Sequence, residues 1–271
     1  KNVAADYAEE FPMAVQLAGC EPDIMAEAAK INVGRGAAII DINFGCPVKK
    51  VVSNFAGSAL MKDEKLAGEI MAATVRAVNV PVSVKMRLGW DETNLNAASL
   101  AKIAQDVGIR MITVHGRTRN QLYNGTADWS AVRAVKENVS IPVIVNGDIA
   151  SAKDAKVALD LSGADGVMVG RGAYGKPWIV RQIIDCFRTG TESAAPTAQE
   201  ITDLILEHYD AILTHYGVHA GVGIARKHIG WYCKDMEGSD EFRARINQMN
   251  DPEDVKKAID DYFFFQEPSA L

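Results

Sequence analysis

Several kinds of segment are missing from this sequence. No apolar run approaches the roughly 20 residues a membrane helix needs, and no basic, apolar, small-residue leader opens the chain. No low-complexity run occurs either. Cysteine is scarce: Cys20, Cys46, Cys186 and Cys233 stand far apart, and no C-x-x-C pair offers a zinc or redox site. Without a secretion signal, reduced thiols in a cytoplasm are the simplest reading. Positive charge is not in excess: the net charge of -6 argues against a protein that coats nucleic acid by bulk charge, while leaving room for a local basic groove. Residues 1–189 carry 22 basic and 20 acidic side chains, and residues 190–271 carry 7 and 15, so the tail is acidic. The chain starts at Lys1 rather than at a methionine, and residues upstream of it are expected.

What is present is 271 residues, 48% of them apolar, enough for one large domain or for one domain with a small appendage. Short apolar runs at 13–17, 38–43, 80–86, 111–115, 142–146 and 166–170 read as strands buried on both faces. Helical patterns at 22–33, 63–78, 94–107, 128–137, 151–161 and 177–187 alternate with them, an α/β arrangement. Ser151 as an N-cap and Pro177 in a first helical turn mark two of the starts. A doubly wound dinucleotide fold is disfavoured, because Gly34-Arg35-Gly36 is too short for its glycine loop and precedes a strand. Polar residues instead recur at six strand ends: Gln16, Asn43, Lys85 with Arg87, His115 with Arg117, Asn146 with Asp148, and Arg171. That is the habit of a (β/α) barrel, whose site lies at the C-terminal ends of its strands. Such a barrel has eight strands, so two are expected ahead of Lys1. After a linker at 189–196, helical patterns at 198–216, 220–234, 240–249 and 252–264 predict a small all-helical domain. The expected domains are therefore an N-terminally incomplete barrel at 1–189 and a helical domain at 190–271.

Asn146-Gly147-Asp148 and Gly170-Arg171-Gly172 each follow an apolar strand and precede a helix. Glycine lets the backbone approach an anion, and the last two strand–helix loops of a barrel commonly hold a phosphate. Lys85 on a buried strand is costly unless it pairs with an anion or opens into a cleft; with Arg87 two residues on, it could hold the electron-rich edge of a reduced flavin. His115, Arg117 and Arg119 crowd one strand end, which suits an anion. Cys46, between Gly45 and Pro47, lies in a sharp turn; it reads equally as a proton donor, a nucleophile or an ordinary buried thiol. Lys49 and Lys50, Arg117 and Arg119, and Arg226-Lys227-His228 on a helix with Trp231 and Tyr232 form local basic clusters of a kind that suits RNA, although Arg226–His228 taken alone reads as a solvated helix face with its aromatics in the core.

Taken together these motifs resemble a family. Asp41-Ile42-Asn43-Phe44-Gly45-Cys46-Pro47-Val48-Lys49-Lys50 is similar to the signature of the tRNA-dihydrouridine synthases. The likeness continues through Gly57-Ser58-Ala59-Leu60, Val84-Lys85-Met86-Arg87-Leu88-Gly89-Trp90, His115-Gly116-Arg117-Thr118-Arg119, Asn146-Gly147-Asp148-Ile149, Val169-Gly170-Arg171 and, in the tail, Ala225-Arg226-Lys227-His228-Ile229-Gly230-Trp231-Tyr232. In detail it resembles the bacterial B-type subgroup, including its nitrogen-regulation-associated members. The resemblance implies a cytoplasmic FMN-dependent barrel enzyme, with no membrane and no obligate protein partner, that reduces D-loop uridine in tRNA with NADPH. It implies that Cys46 protonates uracil C5 while the flavin delivers hydride to C6. It matches Gln16, Lys85, His115, Asn146, Gly147, Asp148, Gly170 and Arg171 to FMN-binding positions. Asn43, Arg87, Arg117 and Tyr123 are matched to the uracil or its nucleotide, and Arg226 and Lys227 to the tRNA. The family's barrel opens with two strands for which this sequence has no counterpart. Two rivals fit some of the residues: an FMN barrel reductase of a small molecule, and a non-catalytic RNA-binding protein that keeps the barrel as a scaffold.

Overall fold

The apolar runs form six strands in a computed structural model that describes residues 12–264. They are β1 (Ala14–Leu17), β2 (Ile39–Phe44), β3 (Val82–Arg87), β4 (Met111–His115), β5 (Val143–Asn146) and β6 (Gly166–Met168). All neighbours are parallel, and the spatial order β1-β2-β3-β4-β5-β6 is the chain order. A doubly wound sheet reverses its order at a switch point; this sheet has no reversal. The crossovers contain α1 (Pro22–Gly34), α2 (Lys49–Val52), α3 (Glu64–Ala77), α4 (Ala97–Asp106), α5 (Arg133–Asn138) and α6 (Ala152–Ser162). α1 packs on α3, α3 on α4 and α4 on α5, so these helices make one layer.

Register shows why the strands carry a site on one side only. Residues paired across parallel strands share a face, and so do residues two apart along a strand. Gln16, Asp41 and Ser83 form one row; Asn43, Lys85 and Thr113 form the next; Arg87, His115 and Asn146 form the last. The opposite face holds Ile40, Ile42 and Phe44, then Val82, Val84 and Met86, then Ile112 and Val114, all buried. The strands were expected to be apolar on both faces. Instead β3 alternates strictly, and β2 does so from Ile40 onward, each with one apolar face and one polar face.

Two short elements escape the periodicity because neither is long enough to show it: α2, and a 3-10 turn at Gly57–Lys62. The helix expected from residue 94 begins at Ala97. Asn94 is held in the preceding turn, where its carbonyl accepts from the Trp90 N–H at 3.1 Å. The Asn96 amide donates to Met61 O and to Glu64, both at 2.8 Å, rather than capping the helix.

The chain divides into two compact units, Lys1–Ile149 with Lys153–Gly170, and Ala150–Ala152 with Arg171–Leu271. The second unit contains α7 (Ile179–Thr189), α8 (Ala198–Tyr216), α9 (Val218–Tyr232), α10 (Ser239–Ile246) and α11 (Pro252–Phe263). Its core joins Ile201, Ile205 and Tyr209 of α8 to Ile229 of α9, Phe242 of α10 and Ile259 of α11. α7 groups with these helices, so this division falls at Gly170–Arg171 rather than at the expected 189/190. Trp178, just ahead of α7, packs against that core. α8 opens with a capping box: Thr197 Oγ1 accepts from the Glu200 N–H, and the Glu200 carboxylate accepts from the Thr197 N–H. The outermost residues of both expected domains, 1–11 and 265–271, lie outside the described residues.

Candidate active site

Cys46 occupies the turn that leaves β2. Asn43 Oδ1 accepts the N–H groups of Gly45, at 3.1 Å, and Cys46, at 2.8 Å. The Gly45 carbonyl accepts from Arg87 Nε at 2.8 Å. The Cys46 carbonyl accepts both the N–H and the hydroxyl of Ser58, at 3.1 and 2.9 Å. Every backbone polar group of Gly45 and Cys46 is thus engaged. The Cys46 thiol is half-buried, and among the described residues it has no hydrogen-bond partner. Gly57 lets the 3-10 turn press against it: φ is +62°, and a Cβ there would stand 2.8 Å from Cys46 O and 3.1 Å from Cys46 Cβ.

Beneath the turn lies a polar chain across three strands. Ser83 Oγ donates to Asp41 Oδ1 and Gln16 Nε2 to Asp41 Oδ2, both at 2.6 Å, and Asn43 Nδ2 donates to Gln16 Oε1 at 2.7 Å. Lys85 stands beside Asn43 in the register. Burial pushes its pKa down, the neighbouring Arg87 pushes it further, and Asp41 opposes both. No described residue accepts a hydrogen bond from its ammonium.

Arg87 is 1% exposed. Beyond Gly45 O, its Nη1 donates to Thr118 O and Leu122 O, both at 2.8 Å, and its guanidinium lies 5.5 Å from the Tyr123 ring centre. Arg117 is 2% exposed and makes a bidentate pair with Asp148, at 2.8 and 2.6 Å, while also donating to Asn124 O and Gly125 O. A guanidinium withdrawn from water must have its N–H groups met, and loop carbonyls do so here. Both arginines therefore turn into the loops. Asp148 is likewise engaged, accepting also from the Ala127 N–H at 2.8 Å.

His115 lies between these groups, buried, with Nε2 3.3 Å from Arg117 Nη1. Its pKa falls to about 3, first from burial and then from the charges of Arg87, Lys85 and Arg117, with Asp148 in opposition. At neutral pH it is an uncharged imidazole. Gly147 has φ +115°, and a Cβ there would meet His115 and Ala127 at 2.8 Å. Trp129 Nε1 fixes the Gly147 carbonyl at 2.8 Å, and Asn146 Nδ2 donates to Met168 O at 2.8 Å.

Gly170 follows β6, with open space where a Cβ would be, and exposed Arg171 opens a 3-10 turn of the second unit. Tyr123 is exposed at 51%. In the second unit, Arg226 Nη2 donates to Met249 O and Asn250 Oδ1, both at 3.0 Å, and Lys227 lies 5.7 Å from the Trp231 ring centre. Trp231 in turn stacks on Tyr174 at 4.1 Å.

The first unit thus brings Gln16, Asn43, Cys46, Lys85, Arg87, His115, Arg117, Asn146, Gly147 and Asp148 to the ends and loops of one polar sheet face. Sequence reasoning passed over Asp41 and Ser83 as members of this face. The alternations Ile40-Asp41-Ile42-Asn43-Phe44 and Val82-Ser83-Val84-Lys85-Met86-Arg87 were the signals that could have found them. Among the described residues no group of three or more metal-ligating side chains occurs, and no helix is long and apolar enough to cross a membrane.

A parallel α/β sheet with a clustered polar face and a fixed cysteine turn defines the class. The chain belongs to the dihydrouridine synthase family, whose model matches residues 2–267. A probable tRNA-dihydrouridine synthase of Rickettsia conorii is 60% identical over 249 residues, which cover 92% of this chain and 75% of that protein. The tRNA-dihydrouridine synthase B of Pseudomonas putida is 50% identical over 240 residues, 89% of this chain and 71% of that protein.

Proposed function

We propose that this chain reduces uridine in the D-loop of tRNA to 5,6-dihydrouridine, with FMN as cofactor, NADPH as reductant and Cys46 as the proton donor to uracil C5. The observation that carries the reading is the Cys46 turn. Its backbone groups are all engaged, so its thiol is left to face a ligand. A thiol carries an S–H proton that it can give up as a general acid.

The residues present fit a flavin. Lys85 is a half-buried cation whose ammonium finds no acceptor among the described residues, which suits an electron-rich or anionic edge. Gly147, just past the end of β5, leaves room where a Cβ would meet His115, and that His115 is neutral. Gln16, Lys85, His115, Asn146, Gly147, Asp148 and Gly170 would hold FMN, with Arg171 assigned to it from its motif. FMN bound there would supply hydride for uracil C6. Lys85 holds the charge of its partner, and His115, being uncharged, offers a hydrogen bond without adding to the positive charge of Lys85, Arg87 and Arg117. Asn43 holds the Cys46 N–H. Arg87 and Arg117 act on the nucleotide through the loops they order, and exposed Tyr123 meets it directly. Arg226 and Lys227 lie in the acidic C-terminal helical region, which we assign to tRNA contact.

The six strands in chain order are read as consecutive members of a (β/α)8 barrel, with residues 1–189 forming the barrel domain and 190–271 the tRNA-binding domain. tRNA and NADPH assign the reaction to the cytoplasm. The test is Cys46→Ala: reduction of unmodified tRNA should drop about 10²–10⁴-fold, the usual worth of a general acid, while bound flavin absorbance persists. Wild-type turnover by that variant would overturn the assignment. Lys85→Ala should lower flavin content or NADPH oxidation, and wild-type values of both would refute its cofactor role.

A further inference from the structure

We propose that Asp41 is a positioning residue for Cys46, acting through the amides of Gln16 and Asn43. The proposal rests on the reading of Cys46 as the acid. Its basis is the polarity of the hydrogen-bond chain. At one end the Asp41 carboxylate accepts from Gln16 Nε2 at 2.6 Å. At the other end the N–H groups of Gly45 and Cys46 can only donate, and they meet Asn43 Oδ1 at 3.1 and 2.8 Å. Between them Asn43 Nδ2 donates to Gln16 Oε1 at 2.7 Å. An amide has one donor end and one acceptor end. With a carboxylate at the start and backbone N–H groups at the finish, each intervening amide has a single workable orientation. Ser83 Oγ, at 2.6 Å from Asp41 Oδ1, steadies the carboxylate from β3. Gln16, Asp41 and Ser83 stand side by side in the register, so the chain begins in one row and ends in the turn beyond the next.

The consequence is transmission by flipping. Asp41→Asn can present an NH2 group to Gln16. Gln16 answers by turning its carbonyl toward position 41 and its NH2 toward Asn43. Asn43 must then turn its own carbonyl toward Gln16, which puts its NH2 against the N–H groups of Gly45 and Cys46. The turn loses its acceptor, although the Asp41 side chain bonds to Gln16 and Ser83 and not to Gly45 or Cys46. Gln16 is exposed, so water replaces part of each lost bond and the effect is moderate.

The experiment uses the whole chain and measures alkylation of Cys46 by iodoacetamide, mapped to that peptide by mass and followed across pH, together with kcat and KM on unmodified tRNA. Asp41→Asn should raise the Cys46 alkylation rate about tenfold, the equivalent of about 1.4 kcal/mol, and lower kcat with KM for tRNA unchanged. Adding Gln16→Glu rebuilds the chain with reversed ends: Asn at 41 donates to Glu at 16, which accepts from Asn43. The double variant should return to within about twofold of the wild-type alkylation rate. Ser83→Ala keeps the polarity of the chain and should stay within the same twofold. If Asp41→Asn alone fails to fold, the folded double variant with wild-type Cys46 reactivity still supports the proposal. Unchanged alkylation in Asp41→Asn, a double variant that unfolds or is not restored, or a Ser83→Ala effect as large as that of Asp41→Asn would each overturn it. Full turnover by Cys46→Ala would instead remove the acid reading and leave the alkylation result standing.

Discussion

Arg87→Met is the substitution that most directly tests how the Cys46 turn is held. Methionine fills much of the space of the arginine stem and removes the fork. Three donated bonds disappear, to Gly45 O, Thr118 O and Leu122 O, each 2.8 Å long in the native chain. Bonds to a charged group are worth about 1.5–3 kcal/mol each, so the gross loss is about 4.5–9 kcal/mol. Against this, a guanidinium that is 1% exposed no longer has to be withdrawn from water, which returns several kcal/mol. The net expectation is destabilisation by about 2–4 kcal/mol, the remainder of those two contributions. Arg87→Lys should do no better. It keeps the buried charge but has a single ammonium where three carbonyls in two loops need a planar fork. The measurement is equilibrium urea unfolding of the three proteins, followed by circular dichroism. If methionine left the unfolding free energy within about 0.5 kcal/mol of wild type, the size of an ordinary surface substitution, the bracing role would be wrong. A lysine variant as stable as wild type would show that charge alone matters and that the fork does not.

Two further outcomes follow from the site. His115 has a native pKa of about 3 and an unfolded value of about 6.5. As pH falls through that window the unfolded chain binds a proton that the folded chain refuses, so stability is lost on acidification. Between pH 7 and pH 5 the loss from this group should be about 2 kcal/mol, and urea midpoints of His115→Gln should lack it; an equal acid loss in both proteins would refute the assignment. Gly57→Ala places a Cβ 2.8 Å from Cys46 O at φ +62°, which costs about 1–2 kcal/mol for the left-handed backbone alone. Its kcat on tRNA should fall with KM unchanged, since the displaced group is Cys46; an unchanged kcat would show that the turn tolerates the shift.

Much of the architecture could be read without coordinates because local periodicity encodes it. The strand at 111–115 and the helix at 198–216 emerge with the same bounds in the structure. Both sit between clear stops in the sequence. The region around 128–137 was harder: it opens with a 3-10 turn at Ser130–Val132 before α5. There the Asp128 carboxylate accepts from Ser130 Oγ and the Ala131 N–H, local bonds that compete with a regular helical start.

The sequence by itself determined which residues have chemistry to offer and that they gather at strand ends. Composition, strand–helix alternation and motif order carried that much, because each is a property of neighbours along the chain. Only the tertiary structure decided which way those side chains face. Arg87 and Arg117, written beside glycine-rich loops, could equally turn outward to an anion or inward to carbonyls. The carbonyls of Gly45, Thr118 and Leu122 lie 31 to 42 residues from Arg87 along the chain, and only the parallel register of β2, β3 and β4 brings their loops together around it. The same register sets Asp41 beside Gln16 and Ser83, and so gives the Cys46 turn a hydrogen-bond support that no local pattern in the sequence spells out.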